Sequence, residues 1–292
     1  MPDLEPARTE PVRPALLGVC YDEHSSFLRG AATAPPLIRK SLWSPHSNTW
    51  TETGFDLSVP GVLHDAGDIA PPDGPDALDT ITRCVTSLLA QDFNPLTLGG
   101  DHTVTFPVLR AFAARYPQLT IVHFDAHPDL YEEYQGDRFS HACPLARVME
   151  AGLAQRLIQV GIRTTGAHQR DQAARFGVEM VEMRDLGYYS RLEFHTPVYV
   201  TFDIDGLDPS CAPGVSHREP GGLSVRQALD IIQSIDAPVV GADVVEFNPM
   251  CDIDRMTQTV AAKLVKELVG MMLRRPRGYT AMLADPPPKI SS

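Results

Sequence analysis

Short runs of apolar residues alternate with segments whose apolar residues recur every three to four positions. The short runs predict buried β-strands and the periodic segments predict amphipathic helices. Strands are predicted at 15–19, 95–98, 119–124, 157–162, 178–183, 197–202, 238–245 and 279–283. Helices are predicted at 37–42, 75–90, 104–114, 142–153, 168–176, 225–235 and 256–273, and residues 65–76, rich in Gly, Pro and Asp, are predicted to form a loop.

This alternation of strands and helices predicts the fold class. Strands that are apolar on both faces and alternate with helices are typical of a parallel sheet covered by helices on each side. We therefore expect an α/β protein. Because neither a linker nor an internal repeat is visible, residues 1–292 are predicted to form a single domain, with the charged, Pro-rich residues 1–14 as a loose N-terminal segment.

Composition narrows the classes of partner and location. The net charge of −12 and the absence of a Lys/Arg-rich run argue against nucleic-acid binding. The acidity fits plain solubility or an affinity for cations, and net charge alone does not separate the two. Five isolated cysteines and no secretory hydrophobic region predict reduced thiols and a cytoplasmic location. No apolar run is long enough to cross a membrane, so no membrane partner is expected.

Candidate chemistry lies in the polar clusters that follow four of the predicted strands. These clusters are Gly99-Gly100-Asp101-His102, Asp125-Ala126-His127-Pro128-Asp129, Asp203-Ile204-Asp205 and Glu246. In open α/β sheets, ligands bind in the crevice beyond the carboxyl ends of the strands. We therefore expect these acids and imidazoles to meet at one edge of the sheet.

Two imidazoles and four carboxylates would converge there: His102, Asp125, His127, Asp129, Asp203 and Asp205. Such groups are stable together only around positive charge, and oxygen plus imidazole ligands suit a divalent ion. A D-x-H-x-D motif alone also fits a polar loop with Asp129 as a helix cap. Six ligands, however, suit two ions that share carboxylates and lie about 3.5–4 Å apart, an arrangement that serves metal-assisted hydrolysis.

Three of these clusters resemble the signature motifs of the ureohydrolases, the family of arginase, agmatinase and their relatives. The three motifs are Gly99-Gly100-Asp101-His102, Asp125-Ala126-His127-Pro128-Asp129 and Asp203-Ile204-Asp205-Gly206-Leu207-Asp208-Pro209. The resemblance covers residues 14–273. It implies a three-layer α/β/α sandwich with a central parallel sheet and the hydrolysis of a guanidino group to urea and an amine. It also implies two Mn²⁺ ions as cofactors, although the ligand types are compatible with Ni²⁺ or Co²⁺ as well. A homo-oligomer, a trimer or a hexamer, is the corresponding expectation for assembly.

The resemblance also assigns roles within the metal site. His102 and Asp129 are similar to the terminal ligands of one ion, and His127 and Asp205 to those of the other. Asp125 and Asp203 match the bridging carboxylates. Beside a shared hydroxide, Asp205 is also expected to accept a proton and to stabilise the tetrahedral intermediate, which makes it a catalytic residue.

Two further catalytic residues are implied outside the ligand set. His141 follows the ligand loop where the family has a proton-shuttling histidine, although a plain polar residue at a helix N-terminus is the alternative. Glu246 is implied to hold the planar guanidinium. Asp243 is expected to make a structural hydrogen bond. His123 is expected either to turn away from the neighbours of Asp125 or to pack in the core.

The choice of substrate within the family depends on segments outside the three motifs. Segments 130–150 and 212–224 are similar to plant-type arginases, which favours L-arginine. Its α-carboxylate needs hydrogen-bond donors, and His217, Arg218 or Arg163 would supply them. Agmatine, guanidinobutyrate and guanidine are the alternative small-molecule substrates. A two-metal phosphoesterase, a one-zinc deacetylase and a non-catalytic metal-binding homologue are the competing classes, and the six intact positions together with Glu246 argue against each.

Overall fold

A single sheet of eight parallel strands forms the centre of the computed structural model, which describes residues 12–45, 47–188 and 192–276. The strands are β1 Arg13–Val19, β2 His64–Ile69, β3 Phe93–Leu98, β4 Thr120–Phe124, β5 Arg156–Ile162, β6 Glu179–Glu182, β7 Val198–Asp203 and β8 Val239–Val245. Their order across the sheet is β2-β1-β3-β8-β7-β4-β5-β6. Every neighbouring pair is parallel.

Helices cover both faces of this sheet. They are α1 Ala34–Leu42, α2 Ala77–Ala90, α3 Thr105–Arg115, α4 Pro144–Glu150, α5 Ala167–Phe176, α6 Val225–Ser234 and α7 Met256–Leu273. Side chains of α1, α6 and α7 form one hydrophobic core against the sheet, and those of α2, α3, α4 and α5 form the other. Within the described ranges, no helix combines the length and the apolar character needed to cross a bilayer.

The burial of the strands explains why the sequence pattern was informative. Every residue of β4, β7 and β8 is buried, as expected for central parallel strands that are covered on both faces. The predicted three-layer α/β/α sandwich is confirmed by the parallel sheet and by the two hydrophobic cores that pack helices against its faces. The prediction that residues 1–292 form a single domain stays a prediction.

One strand was missed. Residues 65–76 were predicted to be a loop, yet His64–Ile69 form β2, which pairs with β1 alone among the described strands and lies at the edge of their sheet. Because the strand contains two Asp and a Gly and none of its residues is fully buried, it lacks the apolar run that marks the inner strands. In addition, β1 begins at Arg13, inside the segment predicted to be loose. The strand predicted at 279–283 lies outside the described residues.

The order of the strands places the candidate site. The four strands that precede the polar clusters, β3, β8, β7 and β4, are adjacent in the centre of the sheet. All four are parallel, so their carboxyl ends and the clusters that follow them meet at one edge. The chain also changes direction of winding here, because β3 and β4 are separated by β8 and β7, and such a switch point is where open α/β sheets bind ligands.

Candidate metal centre

The turn after β3 holds His102 rigidly. Asp101 caps a short 3-10 turn by accepting the N–H of Thr103 at 3.1 Å with Oδ1. Its Oδ2 accepts the N–H of His24 at 3.1 Å. The preceding Gly100 lies so close to the carbonyl oxygen of Tyr21 that a Cβ would be 1.7 Å from it, so only glycine fits there. The side chain of His102 is fully buried as a result of this packing.

The loop after β4 presents Asp125, His127 and Asp129. Asp125 Oδ1 accepts the N–H of His127 at 2.6 Å, which closes a tight turn. Asp129 has a φ of 51°, a left-handed conformation that is uncommon for a residue other than glycine. Strained backbone of this kind persists where the surrounding structure enforces it, and it is concentrated at functional sites. The unusual backbone conformation of Asp129 is therefore consistent with a functional role for this loop.

The turn after β7 contributes Asp203 and Asp205. Asp203 Oδ1 accepts the N–H of Asp205 at 2.8 Å, and Asp205 Oδ1 accepts the N–H of Ala126 at 3.1 Å. These bonds tie the β7 turn to the β4 loop. They engage one oxygen of each carboxylate and leave Oδ2 of each directed towards the histidines.

His102 faces three carboxylates through one ring nitrogen. Its Nδ1 lies 2.9 Å from Asp129 Oδ2, 3.3 Å from Asp125 Oδ2 and 3.4 Å from Asp203 Oδ2. Among the described residues, this buried nitrogen has no hydrogen-bond partner of acceptable geometry. A ring nitrogen and three carboxylate oxygens at these distances are the donor set of a divalent ion.

The other ring nitrogen of His102 shows which tautomer is present. Nε2 lies 3.1 Å from Thr201 Oγ1, and the Thr201 hydroxyl donates to Asp243 Oδ1 at 2.6 Å. Because the single hydroxyl proton of Thr201 goes to Asp243, the oxygen of Thr201 must accept from Nε2–H. A neutral His102 therefore directs the lone pair of Nδ1 at the carboxylates, as a metal ligand requires.

A second group forms around His127. Its Nδ1 lies 3.2 Å from Asp205 Oδ2 and 3.3 Å from Asp125 Oδ1. Ligand atoms of Asp125, His127 and Asp205 all lie within 4.8 Å of one another. Asp125 thus directs one oxygen at His102 and the other at His127, so it connects the two groups.

The electrostatics of both groups call for added positive charge. Burial, followed by the charges of Asp205 and Asp125, raises the pKa of Asp203 well above its ordinary value. Burial also raises the pKa of Asp205 to about 6. Although burial opposes the imidazolium form, the surrounding carboxylates raise the pKa of His127 well above its ordinary value. Protons would have to collect here if no cation did, so the residues fit two divalent ions.

A cavity of about 230 Å³ opens over these groups. Seven of its lining residues were singled out from the sequence: His127, Asp129, Asp203, Asp205, His141, His217 and Glu246. The others were not: Ser26, Tyr131, Tyr134, Ala142, Thr164, Gly166 and Gln169. Most of the latter follow β1, β4 or β5 in loops, and the only signal that could have found them is their position after the carboxyl end of a strand.

Glu246 and His141 form a pair on the wall of this cavity. Glu246 has a φ of 63°, and its Oε1 accepts the N–H of His102 at 2.9 Å and lies 2.8 Å from His141 Nδ1. The other ring nitrogen of His141 lies 2.8 Å from Ser26 Oγ. Burial opposes the charged form of His141, but the Glu246 carboxylate raises its pKa to about 9. At neutral pH His141 therefore holds a proton beside the cavity.

Comparison with known proteins identifies the family. A model of the arginase family matches residues 13–270, most of the chain. The chain belongs to the arginase family. The family resemblance inferred from the three motifs is thereby confirmed, and so is the expectation of a metal-dependent ureohydrolase.

Individual members of the arginase family show the degree of similarity. Arginase 1, mitochondrial, of Arabidopsis thaliana is 46% identical over 273 residues, which cover 88% of this chain and 80% of the relative. The solved structure of arginase from Medicago truncatula has a TM-score of 0.84 and 44% identity, covering 89% of this chain and 87% of that one. Agmatinase of Bacillus cereus is more distant, at 38% identity over 87% of this chain and 90% of the relative.

The names of these family members correct the predicted location. Five plant relatives, at 43–46% identity, are named mitochondrial or chloroplastic/mitochondrial, so the prediction of a cytoplasmic location is wrong by this comparison. The prediction rested on isolated cysteines, and all five are free in the structure. Free thiols argue against oxidising compartments, but they do not distinguish the cytosol from an organelle.

The residues expected to read the substrate's α-carboxylate also need correction. Arg218 does not line the cavity, because its Nε donates to Pro213 O at 2.7 Å and its guanidinium also reaches Cys251 O at 2.8 Å. The guanidinium of Arg163 is likewise engaged by backbone carbonyls, among them Asp205 O at 2.6 Å. His217 does line the cavity, but burial lowers its pKa, so it is a neutral group there.

Two buried residues near the site have defined partners. The structural role expected of Asp243 is confirmed, since it accepts hydroxyl protons from Thr201, Thr105 and Tyr199 at 2.6–3.1 Å. The expectation that His123 packs in the core is confirmed, since its side chain is fully buried. The alternative, that it turns away from the neighbours of Asp125, is wrong, because its Nε2 lies 2.8 Å from Asp125 Oδ2. Side chains two positions apart in an extended strand share one face, so His123 turns towards Asp125 and not away from it.

Proposed function

We propose that this arginase-family protein hydrolyses L-arginine to L-ornithine and urea with two bound Mn²⁺ ions. The observation that carries the proposal is the pair of histidine–carboxylate groups around His102 and His127, joined by Asp125 at the floor of the cavity. The preference for arginine is supported by the higher identity to plant arginases, 46%, than to agmatinases, 38–39%.

We assign the ligands by their grouping. His102 and Asp129 would hold one ion, His127 and Asp205 would hold the other, and Asp125 and Asp203 would be shared by the two. When bound, the ions would supply Lewis acidity, which lowers the pKa of a nucleophilic water and polarises the guanidino carbon. The same ligand chemistry accepts Ni²⁺ or Co²⁺, so reconstitution with each ion decides the native metal.

Glu246 is assigned to the guanidinium of the substrate. Its carboxylate faces the cavity, and the two hydrogen bonds described above both engage Oε1. Oε2 is thereby left to accept an N–H from the guanidinium, and a positively charged substrate would replace part of the charge that His141 supplies. Glu246 therefore orients the guanidino group above the two ligand groups.

His141 is assigned to proton delivery. With a pKa raised to about 9 it is protonated at neutral pH, and its Nε2 faces the cavity beside Ser26. Hydrolysis expels an amine that needs a proton, and a positioned imidazolium supplies one. Asp205 lines the cavity and lies within the His127 ligand group, so we assign it to take up the proton of the attacking water.

Recognition of the α-amino acid end is assigned to neutral donors. Among the described residues, no Lys or Arg lines the cavity, whereas Ser26, Tyr131, Tyr134, Thr164, Gln169 and His217 do. Neutral hydrogen bonds discriminate a carboxylate less strongly than a bidentate arginine does. Agmatine, which lacks the α-carboxylate, is therefore the second candidate substrate.

Urea release tests the proposal directly. Mn²⁺-loaded protein is incubated with L-arginine, agmatine, 4-guanidinobutyrate and guanidine in parallel. If urea is released fastest from L-arginine, the proposal is supported. If it is released fastest from another compound, the protein is a guanidino hydrolase with that compound as its preferred substrate. The absence of urea from all four, with Ni²⁺ and Co²⁺ also tried, would refute the activity. We further propose a homo-oligomer, a trimer or a hexamer, which sedimentation analysis of the same preparation measures.

A further inference from the structure

A row of buried polar side chains crosses the sheet immediately below the ligand groups. The strand register aligns Thr97 of β3 with Asp243 of β8, Asp243 with Thr201 of β7, Thr201 with His123 of β4, and His123 with Gln159 of β5. All five have no solvent exposure. Buried polar groups cost about 1–3 kcal/mol each when unsatisfied, so a row of them at the centre of a sheet calls for a function.

One half of this row has already been described: Asp243 and Thr201 fix the tautomer of His102. The other half, His123 and Gln159, lies under Asp125. His123 Nε2 is 2.8 Å from Asp125 Oδ2, the oxygen that faces His102. If the ring proton of His123 is on Nε2, this contact is a hydrogen bond to Asp125. If the proton is on Nδ1, Nε2 and Asp125 could instead both be ligands of one ion.

Gln159 settles the position of that proton. Its amide nitrogen lies 2.6 Å from the carbonyl oxygen of Pro128 and 3.0 Å from His123 Nδ1. A carbonyl oxygen only accepts, so the amide atom beside it must be the NH₂ group, and its second N–H points at Nδ1. Nδ1 of a neutral His123 is thus an acceptor, and the proton is on Nε2, facing Asp125. The opposite amide orientation would place the Gln159 oxygen 2.6 Å from the Pro128 oxygen, where neither could donate.

The consequence for Asp125 concerns the direction of its lone pairs. Oδ1 accepts the N–H of His127 at 2.6 Å, and Oδ2 accepts Nε2–H of His123 at 2.8 Å. A carboxylate oxygen has two lone pairs, so each oxygen keeps one for a cation on its own side. Asp125 is thereby oriented to bridge two ions before either ion binds.

We infer that His123 is a positioning residue of the metal centre, which is held in the Nε2–H tautomer by Gln159 and orients Asp125 as a bridge. The inference rests on the proposed two-metal function. Proximity alone would also allow His123 to ligate an ion together with His102 and Asp125. The ligand role requires a lone pair on a ring nitrogen that faces the ion, whereas the contacts of Gln159 put a proton on Nε2.

Manganese titration of two matched variants tests the positioning role. The amide nitrogen of Gln in His123→Gln reaches about as far as Nε2 and can still donate to Asp125, whereas the shorter amide in His123→Asn cannot. We expect His123→Asn to bind both ions with about 10–100-fold lower affinity, which is the range for residues that hydrogen-bond to a metal ligand. His123→Gln should recover most of the wild-type affinity. His64→Gln, at an exposed histidine of β2, is the control. Unchanged affinity in His123→Asn, or loss of one ion at saturating Mn²⁺ in both His123 variants, would overturn the inference.

A second comparison isolates Gln159. Gln159→Glu removes the donors to His123 and to Pro128, so we expect a similar loss of affinity in an otherwise native chain. In the His123→Gln variant there is no imidazole whose tautomer Gln159 could fix. The loss of affinity that Gln159→Glu causes in this variant therefore measures the Pro128 contact alone. Equal losses in the two backgrounds would mean that Gln159 acts only through Pro128, and the tautomer relay would be wrong.

The tautomer of His123 can also be observed directly in the wild-type protein, where no substitution can disturb folding. In ¹⁵N-histidine-labelled wild-type protein loaded with diamagnetic Zn²⁺, the His123 ring is assigned by the absence of its signals in His123→Gln. We expect a neutral ring protonated at Nε2, and protonation at Nδ1 instead would refute the relay. If wild-type protein binds no pair of ions and releases no urea, the proposed function fails, and the same spectrum of metal-free protein still decides the tautomer separately.

Discussion

Replacement of Glu246 by Gln should remove the reason that His141 is charged. In the native chain Glu246 Oε1 lies 2.8 Å from His141 Nδ1, and both side chains are more than nine-tenths buried. Glu246→Gln has almost the same shape and keeps an oxygen that accepts the N–H of His102. The substitution therefore deletes one negative charge with little change in packing, and burial alone should then keep the His141 imidazole neutral.

The size of the effect follows from the pKa of His141. A folded-state value of about 9 against the ordinary 6.5 corresponds to about 3 kcal/mol of preference for the charged form in the folded chain. Because the pKa is raised on folding, this stabilisation is fully present below about pH 6.5 and is lost as the pH rises through about 9. Between about pH 7.5 and about pH 9.5, the folded wild type should lose about 2 kcal/mol from this source. This window avoids Asp101, whose pKa burial raises to about 7.

Urea unfolding of metal-free protein across this range measures the effect. We expect the free energy of unfolding of Glu246→Gln to be flatter with pH than that of the wild type by about 2 kcal/mol. Glu132→Gln, which changes an exposed carboxylate, is the control and should retain the wild-type slope. Parallel pH profiles for wild type and Glu246→Gln would show that Glu246 does not hold the proton on His141, and the proton-delivery assignment would lose its electrostatic basis.

Three further predictions concern the site and its supporting turn. His141→Ala should reduce kcat for urea release by about 10²–10⁴-fold with both ions still bound, and near-normal turnover across pH would exclude the shuttle. Asp203→Ala should lower the bound manganese below two ions per chain and abolish most turnover, so full metal content in atomic emission analysis would contradict its bridging role. Gly100→Ala should lower the free energy of unfolding by more than about 2 kcal/mol, because its Cβ would overlap the Tyr21 carbonyl oxygen. An unchanged melting temperature would show that this turn can shift.

The positions of the proposed ligands were predictable because their signal is local. Each proposed ligand lies at the end of an apolar strand or shortly after it, and parallel strands bring their carboxyl ends to the same edge of the sheet. Neither step needs knowledge of side-chain conformation. The edge strand β2 was not predictable in the same way, because none of its residues is fully buried and it therefore lacks a run of apolar residues.

The misassigned residues share a different cause. Arg163, Arg218 and His123 were interpreted from residue type and distance along the chain, but their roles depend on partners brought from other strands and loops. Arg163 and Arg218 are engaged by backbone carbonyls, and His123 is oriented by Gln159 on the neighbouring strand. The sequence does not reveal such pairings, since the strand register that creates them is set by the packing of the whole sheet.

These contacts explain why no arginine side chain faces the described part of the cavity. The Arg163 guanidinium donates to the carbonyl oxygens of Gly161, Asp205, Gly206, Leu207 and Glu219, so this cation fastens the β5 and β7 loops beneath Asp205 and is not presented to a ligand. The carboxylates above it stay uncompensated by Lys or Arg on the described cavity wall. Such a wall attracts divalent ions and a guanidinium strongly, but it gives a substrate carboxylate only neutral donors. Selectivity for arginine over agmatine must therefore come from the placement of hydroxyl, phenol and amide groups, which is where substitutions would change it.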